Sequence, residues 1–190
     1  MNTIKMATCT LEGRSPLVFG GPVMETRQEG ESYEQYEERT WRLKAIEDKD
    51  GIYLDPYAAK QCLLGSVAYA GEKVAGMRNR GWKSFYTAGV LCVEKVRVDA
   101  TRDDLIKMAK FIPSDGRVGG GTRVWKFFPT LPEWQATVTY LVIEPKIWGD
   151  AKRFERYVQM AGDFVGFGVW APRRNGWYGR FEVKKIDWDK

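Results

Sequence analysis

The densest chemistry in the sequence lies near its end. Val165-Gly166-Phe167-Gly168-Val169-Trp170-Ala171-Pro172-Arg173-Arg174-Asn175-Gly176-Trp177-Tyr178-Gly179-Arg180-Phe181-Glu182-Val183 sets paired glycines around a basic, aromatic tip. Glycine lets a backbone approach a sugar-phosphate closely and offers amide hydrogens to its oxygens, while arginine adds charge-assisted hydrogen bonds. Gly166, Gly168, Arg173, Arg174, Asn175, Gly176, Trp177, Gly179 and Arg180 are therefore expected to contact nucleic acid. The segment is not a dinucleotide fingerprint, because it follows a helix and precedes a terminal strand instead of opening a βαβ unit. A purely structural hairpin would use the same glycines, so both readings stand at this point.

Two further stretches carry the same mixture. Met77-Arg-Asn-Arg-Gly-Trp-Lys-Ser84 reads as a basic loop or arm with an embedded tryptophan, and contributes Arg78, Arg80, Trp82 and Lys83. Ile112 to Lys126 combines four glycines with Arg117, Arg123, Trp125 and Lys126, which suggests a mobile basic loop ending in a strand. Trp82 and Trp177 are the stacking candidates, because basic and glycine residues flank them. Core packing is the default for any single tryptophan, Trp125 and Trp170 included.

Enzymatic chemistry has less to stand on. The chain contains no histidine, which removes the commonest general acid/base near neutral pH and the commonest metal ligand. Asp115, in Pro-Ser-Asp-Gly, is the one loop carboxylate that could serve a metal-dependent ribonuclease, and it has no evident partner. Cys9, Cys62 and Cys92 are far apart and form no CxxC pair, so neither a disulfide framework nor a thiolate zinc site is suggested. No catalytic residue, metal or cofactor is expected.

The 190 residues, 44% hydrophobic, suffice for one domain with its own core. The formal charge is +5 and the pI about 9.0. Charge distribution says more: Glu25, Glu29, Glu31, Glu34, Glu37 and Glu38 precede a later part dominated by lysine and arginine. No apolar run reaches the roughly 18 residues of a membrane span, and the start lacks a signal-peptide pattern, so no membrane role and a cytoplasmic setting are expected.

These segments need elements to hold them. Ile4 to Leu11 alternates as a strand, and residues 25 to 50 read as a partly helical or irregular surface insertion. Asp55-Pro56 opens a helix running to about Glu72, with Ala59, Leu63, Leu64, Val67 and Ala68 at helical spacing. A strand is expected over Ala88 to Val98, then a capping box at Thr101 to Asp104 leading into a short helix, Leu105 to Lys110. The mobile loop at about 113–126 follows. Thr137 to Ile143 reads as a β-run, Asp150 caps a helix with Phe154, Tyr157, Val158 and Ala161 as its apolar stripe, and Gly179 to Ile186 is the last strand. This order suits an α+β, ferredoxin-like (RRM-related) antiparallel sheet covered by helices.

The C-terminal segment resembles the glycine-rich loop of the RAMP superfamily, the ferredoxin-like proteins of CRISPR effector complexes that bind guide RNA. Gly13-Arg-Ser-Pro-Leu-Val-Phe-Gly-Gly21 is similar to the loop after that family's first strand, and Leu54-Asp-Pro-Tyr-Ala-Ala-Lys-Gln-Cys-Leu-Leu64 to its first-helix entry. The entry departs from the family's Pro-Gly-Ser opening, which points to a distant branch such as a stand-alone phage or mobile-element homologue. The resemblance implies a non-catalytic protein that binds single-stranded nucleic acid, RNA before DNA, and lines up with related subunits or further copies along the strand. It also leaves open a phage-encoded subunit mimic that inhibits such a complex, a single-stranded DNA-binding protein, and a ribonuclease using Asp115.

Overall fold

Alternation at the start of the chain builds the central strand. In β1 (Lys5–Gly13) Ala7, Cys9 and Leu11 are fully buried while Met6, Thr8 and Thr10 take the opposite face. The structure, a computed structural model, describes residues 4–114 and 121–189. After β1 come β2 (Leu17–Val18), α1 (Tyr33–Thr40), β3 (Glu47–Asp48), β4 (Gly51–Leu54), α2 (Pro56–Ala70) and α3 (Trp82–Gly89). The order continues through β5 (Val90–Leu91), β6 (Val96–Val98), β7 (Ile106–Pro113), β8 (Arg123–Leu131) and β9 (Gln135–Val142), and closes with α4 (Pro145–Trp148), α5 (Ala151–Phe164) and β10 (Phe181–Trp188).

The main sheet runs β10-β1-β9-β6-β4-β3, with β5 also on β9. Four adjacent strands and the two long helices form β1-α2-β6-β9-α5-β10, a βαββαβ unit in the order 4-1-3-2. The expected α+β, ferredoxin-like architecture is present. A second antiparallel sheet, β2-β8-β7, joins the strand that follows β1 to the two strands inserted between β6 and β9. α2 and α5 cover one face of the main sheet. Asp55 caps α2 by accepting the Tyr57 N–H at 2.7 Å, and Asp150 caps α5 by accepting that of Arg153 at 3.1 Å. The predicted stripes of both helices are buried, except that Ala68 of α2 is exposed. The other sheet face is open, and its register sets Thr8 opposite Thr139 and Thr10 opposite Thr137.

Four segments differ from the sequence reading. Residues 106–110 are strand: Ile106 to Pro113 pairs with Arg123 to Thr130 along its whole length, and that pairing overrides a weak helical pattern. The capping box exists, with the Thr101 N–H donating to Asp104 at 2.8 Å, but it closes only the 3₁₀ turn Arg102–Asp104. The expected strand over 88–98 is split, because α3 takes its first residues and β5 and β6 then reach β9 separately. The segment 25–50 is not wholly a surface feature. A Ser32–Gln35 capping box starts α1, and Thr40, Trp41, Lys44 and Ala45 are then buried. The basic loop expected over 113–126 is strand at both of its ends, since β7 extends through Pro113 and β8 begins at Arg123; residues 115–120, Asp115 and Arg117 among them, lie outside the described residues.

Candidate nucleic-acid interface

Three segments far apart in sequence meet along one groove. It is lined by Gly20 and Gly21, by Asp55 and Ala58 at the start of α2, and by Gly168, Val169, Arg173 and Arg174. Backbone bonds set this geometry: the Phe19 N–H donates to Pro129 O (2.9 Å), that of Gly21 to Lys44 O (2.8 Å) and that of Val169 to Val18 O (2.9 Å). Past Gly20 and Gly21 the groove continues beside Ile112, Lys126, Phe128 and Trp170.

The glycine-rich loop is folded on itself. A Cβ added at Gly179 would overlap the Phe167 carbonyl, and φ there is +65°; one added at Gly176 would overlap the Trp170 carbonyl. Gly166 and Gly168 are also crowded by backbone and side chains of the chain itself. The four expected contact glycines thus serve internal packing, and the close approach they permit is by peptide. Arg180 is likewise engaged, donating its N–H to Ser15 Oγ (2.9 Å) and its guanidinium to the Asp163 carbonyl, so it is a brace. Arg173, Arg174 and Asn175 form the exposed tip, and neither arginine has an acidic partner among the described residues. Trp177 is 55% exposed and stacks on Tyr178 at 4.3 Å. Trp170 holds φ +52°, a costly backbone state for a bulky residue, with its ring 4.7 Å from Phe128.

The hairpin of β7 and β8 adds a second group of cations. Lys110 stands directly opposite Lys126, a like-charge cross-strand pair that destabilises a sheet unless something compensates it. Neither has an acidic partner among the described residues; Lys126 donates to Ser114 O at 2.8 Å, and Lys110 lies 6.0 Å from the Trp170 ring centroid. One register position on, Phe111 opposes Trp125 with rings 5.3 Å apart, 49% and 47% exposed. Arg123 is exposed at the start of β8.

A buried ion pair that sequence reasoning missed anchors this hairpin. Glu37 and Lys44 pair beneath the groove; Glu37 accepts the Phe127 N–H at 3.1 Å and Lys44 donates to Phe127 O at 2.7 Å. Together they satisfy β8 where no neighbouring strand does. The i, i+7 spacing within a run of glutamates was the only signal, and a solvated face would show the same.

Arg78, Arg80 and Lys83 are exposed elsewhere, at the other end of α2, which at 15 residues is about 22 Å long. Trp82 is only 6% exposed and the Arg153 guanidinium covers its ring at 4.4 Å, so it is a core residue and no stacking platform. The acidic stretch is largely neutralised within the chain: Glu25 and Glu31 pair with Arg39, Glu37 with Lys44 and Glu38 with Lys107. Burial pushes the Cys9 and Cys62 thiols up to about 12. Among the described residues no group of three or more potential ligands could hold a metal ion, and no helix is long and apolar enough to cross a membrane.

No family model matches the chain, and no curated protein matches it. Its fold is similar to that of Cmr6 from Pyrococcus furiosus, with a TM-score of 0.51 and 14% identity over 96% of this chain and 100% of that one. The structure of the Type III-B Cmr-beta bound to cognate target RNA aligns at TM-score 0.49 and 11% identity, over 98% of this chain and 61% of that chain, so this chain spans about three-fifths of its length. A CRISPR RNA-guided surveillance complex aligns at TM-score 0.35 and 12% identity, covering 97% of this chain and 68% of that one. The likeness to Cmr6 bears out the α+β, ferredoxin-like fold that the resemblance implied.

Proposed function

We propose that this chain binds single-stranded RNA along the groove, as a non-catalytic subunit of a CRISPR-type ribonucleoprotein. The observation that carries the proposal is convergence: the loop after β1, the entry of α2 and the glycine-rich loop, the three segments that resemble RAMP proteins, line one groove bordered by cations with no acidic partner among the described residues. Arg173, Arg174, Lys110 and Lys126 supply phosphate contacts, and an anion between the two lysines would relieve their repulsion. Trp177 and the Phe111–Trp125 pair offer exposed rings on which bases can stack. The open face of the main sheet is a poorer platform than in RRM proteins. It carries threonines where stacking would need aromatics. No residue of the groove is assigned a chemical step: the chain has no histidine, and of the groove's carboxylates Glu37 is paired with Lys44 and Asp55 caps α2.

Fluorescence anisotropy with labelled single strands tests this directly. Binding is expected at low salt and falls steeply as salt rises, through counterion release. Replacing Arg173, Arg174 and Lys126 together with alanine should flatten the slope of log affinity against log salt by about 2 to 3. Folded protein that binds no strand at low salt would remove the proposal. Incubation with magnesium or manganese should leave the RNA intact; cleavage lost in Asp115→Ala would reinstate the ribonuclease reading.

A further inference from the structure

Asp55 is an exposed carboxylate at one end of the groove, whose other acidic side chain, Glu37, is buried and paired with Lys44. The charged side chains that share its end of the groove, Arg173, Arg174 and the paired Lys44, are all cationic. Its Oδ1 accepts the Tyr57 N–H that opens α2, while no bond engages Oδ2 and no lysine or arginine pairs with the carboxylate among the described residues. Arg173 and Arg174 line the same groove and are not close enough to pair with it. A groove that holds free guanidinium groups and a free carboxylate apart fits a ligand with an anion for the first and a hydroxyl donor for the second.

We infer that Asp55 accepts a hydrogen bond from a ribose 2′-hydroxyl and so makes the groove selective for RNA over DNA. The inference rests on the proposed single-strand binding in this groove and adds the sugar to it. The 2′-hydroxyl is both donor and acceptor, and it is the group by which a protein tells RNA from DNA. A carboxylate accepts only. Deoxyribose offers it nothing, and the neighbouring phosphates then repel it with no compensating bond. Helix capping alone would not produce this discrimination, because the cap uses one oxygen and turns it toward the helix backbone.

Three strands of one sequence separate the outcomes: RNA, DNA with uracil in place of thymine, and RNA carrying 2′-O-methyl groups, which can accept but not donate. With the full chain, RNA should bind about tenfold more tightly than either of the others. Asp55→Ser keeps a good helix cap but withdraws the carboxylate, and should bring the three affinities within about twofold of one another, with the melting temperature confirming that the variant is folded. Equal binding of all three strands by the unmodified chain would overturn the assignment while leaving single-strand binding intact. So would a 2′-O-methyl strand that binds as tightly as RNA, or an RNA preference that survives in Asp55→Ser. Failure of every strand to bind would instead remove the proposed function.

Discussion

Single residues in the glycine-rich loop do different work from their neighbours. Gly179 sits at positive φ with the Phe167 carbonyl where a Cβ would go, so Gly179→Ala should destabilise the fold by about 2–3 kcal/mol, as denaturant midpoints will show. Arg173 and Arg174, on the exposed tip of the same loop, should tolerate alanine with a change within about 0.5 kcal/mol. The sequence sets these residues side by side with no mark of the difference. A loop glycine that admits a phosphate and one that admits the chain's own carbonyl obey the same steric rule, and only the neighbour's identity separates them. Trp177 and Trp82 show the same limit. Both have basic and glycine flanks, yet one is exposed and the other lies under Arg153.

At the scale of elements, the β7–β8 hairpin is where stability and the proposed binding oppose each other. Lys110→Glu would convert a repulsive cross-strand pair into an attractive one, and should raise stability by about 0.5–1 kcal/mol while weakening RNA binding and lowering its salt slope. Thermal melts and anisotropy titrations on the same variant check both signs. The hairpin is anchored by Glu37 and Lys44, so removing one partner leaves a buried charge. Lys44→Met should cost about 3–5 kcal/mol, and adding Glu37→Gln should recover part of that loss. This pairing was illegible because Phe127 lies more than 80 residues from both partners, and the glutamate run around Glu37 looks like any solvated helix. The helices were easier to read. Asp55-Pro56 and Asp150 are local signals, and each acts within three residues of itself.

For the whole molecule, charge governs both acid stability and ligand capture. Hydrogen bonds from Arg97 and then Lys95 hold the Asp48 carboxyl well below the usual carboxylate range; Lys184 and Arg14 lower Glu182, and Arg39 lowers Glu31. A depressed folded-state pKa stabilises above the unfolded value, and that contribution fades as pH falls, because the unfolded chain takes up the proton first. The melting temperature should therefore be nearly flat above about pH 5 and fall below about pH 4, with a shallower acid limb in Asp48→Asn. What the sequence determined by itself was local or compositional: the period-two strand at the start, the capped and striped helices, the lack of histidine, and the basic, glycine-rich segments. From the element order it also determined the α+β class, since a βαββαβ succession leaves few ways to bury its faces. Tertiary structure alone decided which cations share a surface. It placed Arg173, Arg174 and Lys126 on one groove, left Arg78, Arg80 and Lys83 at the far end of α2, and gave Glu25, Glu31, Glu37 and Glu38 internal partners. The physical reason is range. Capping and alternation act over a few residues, whereas the groove is made by segments spread over about 150 residues of the chain, and its composition follows from sheet order and crossover path.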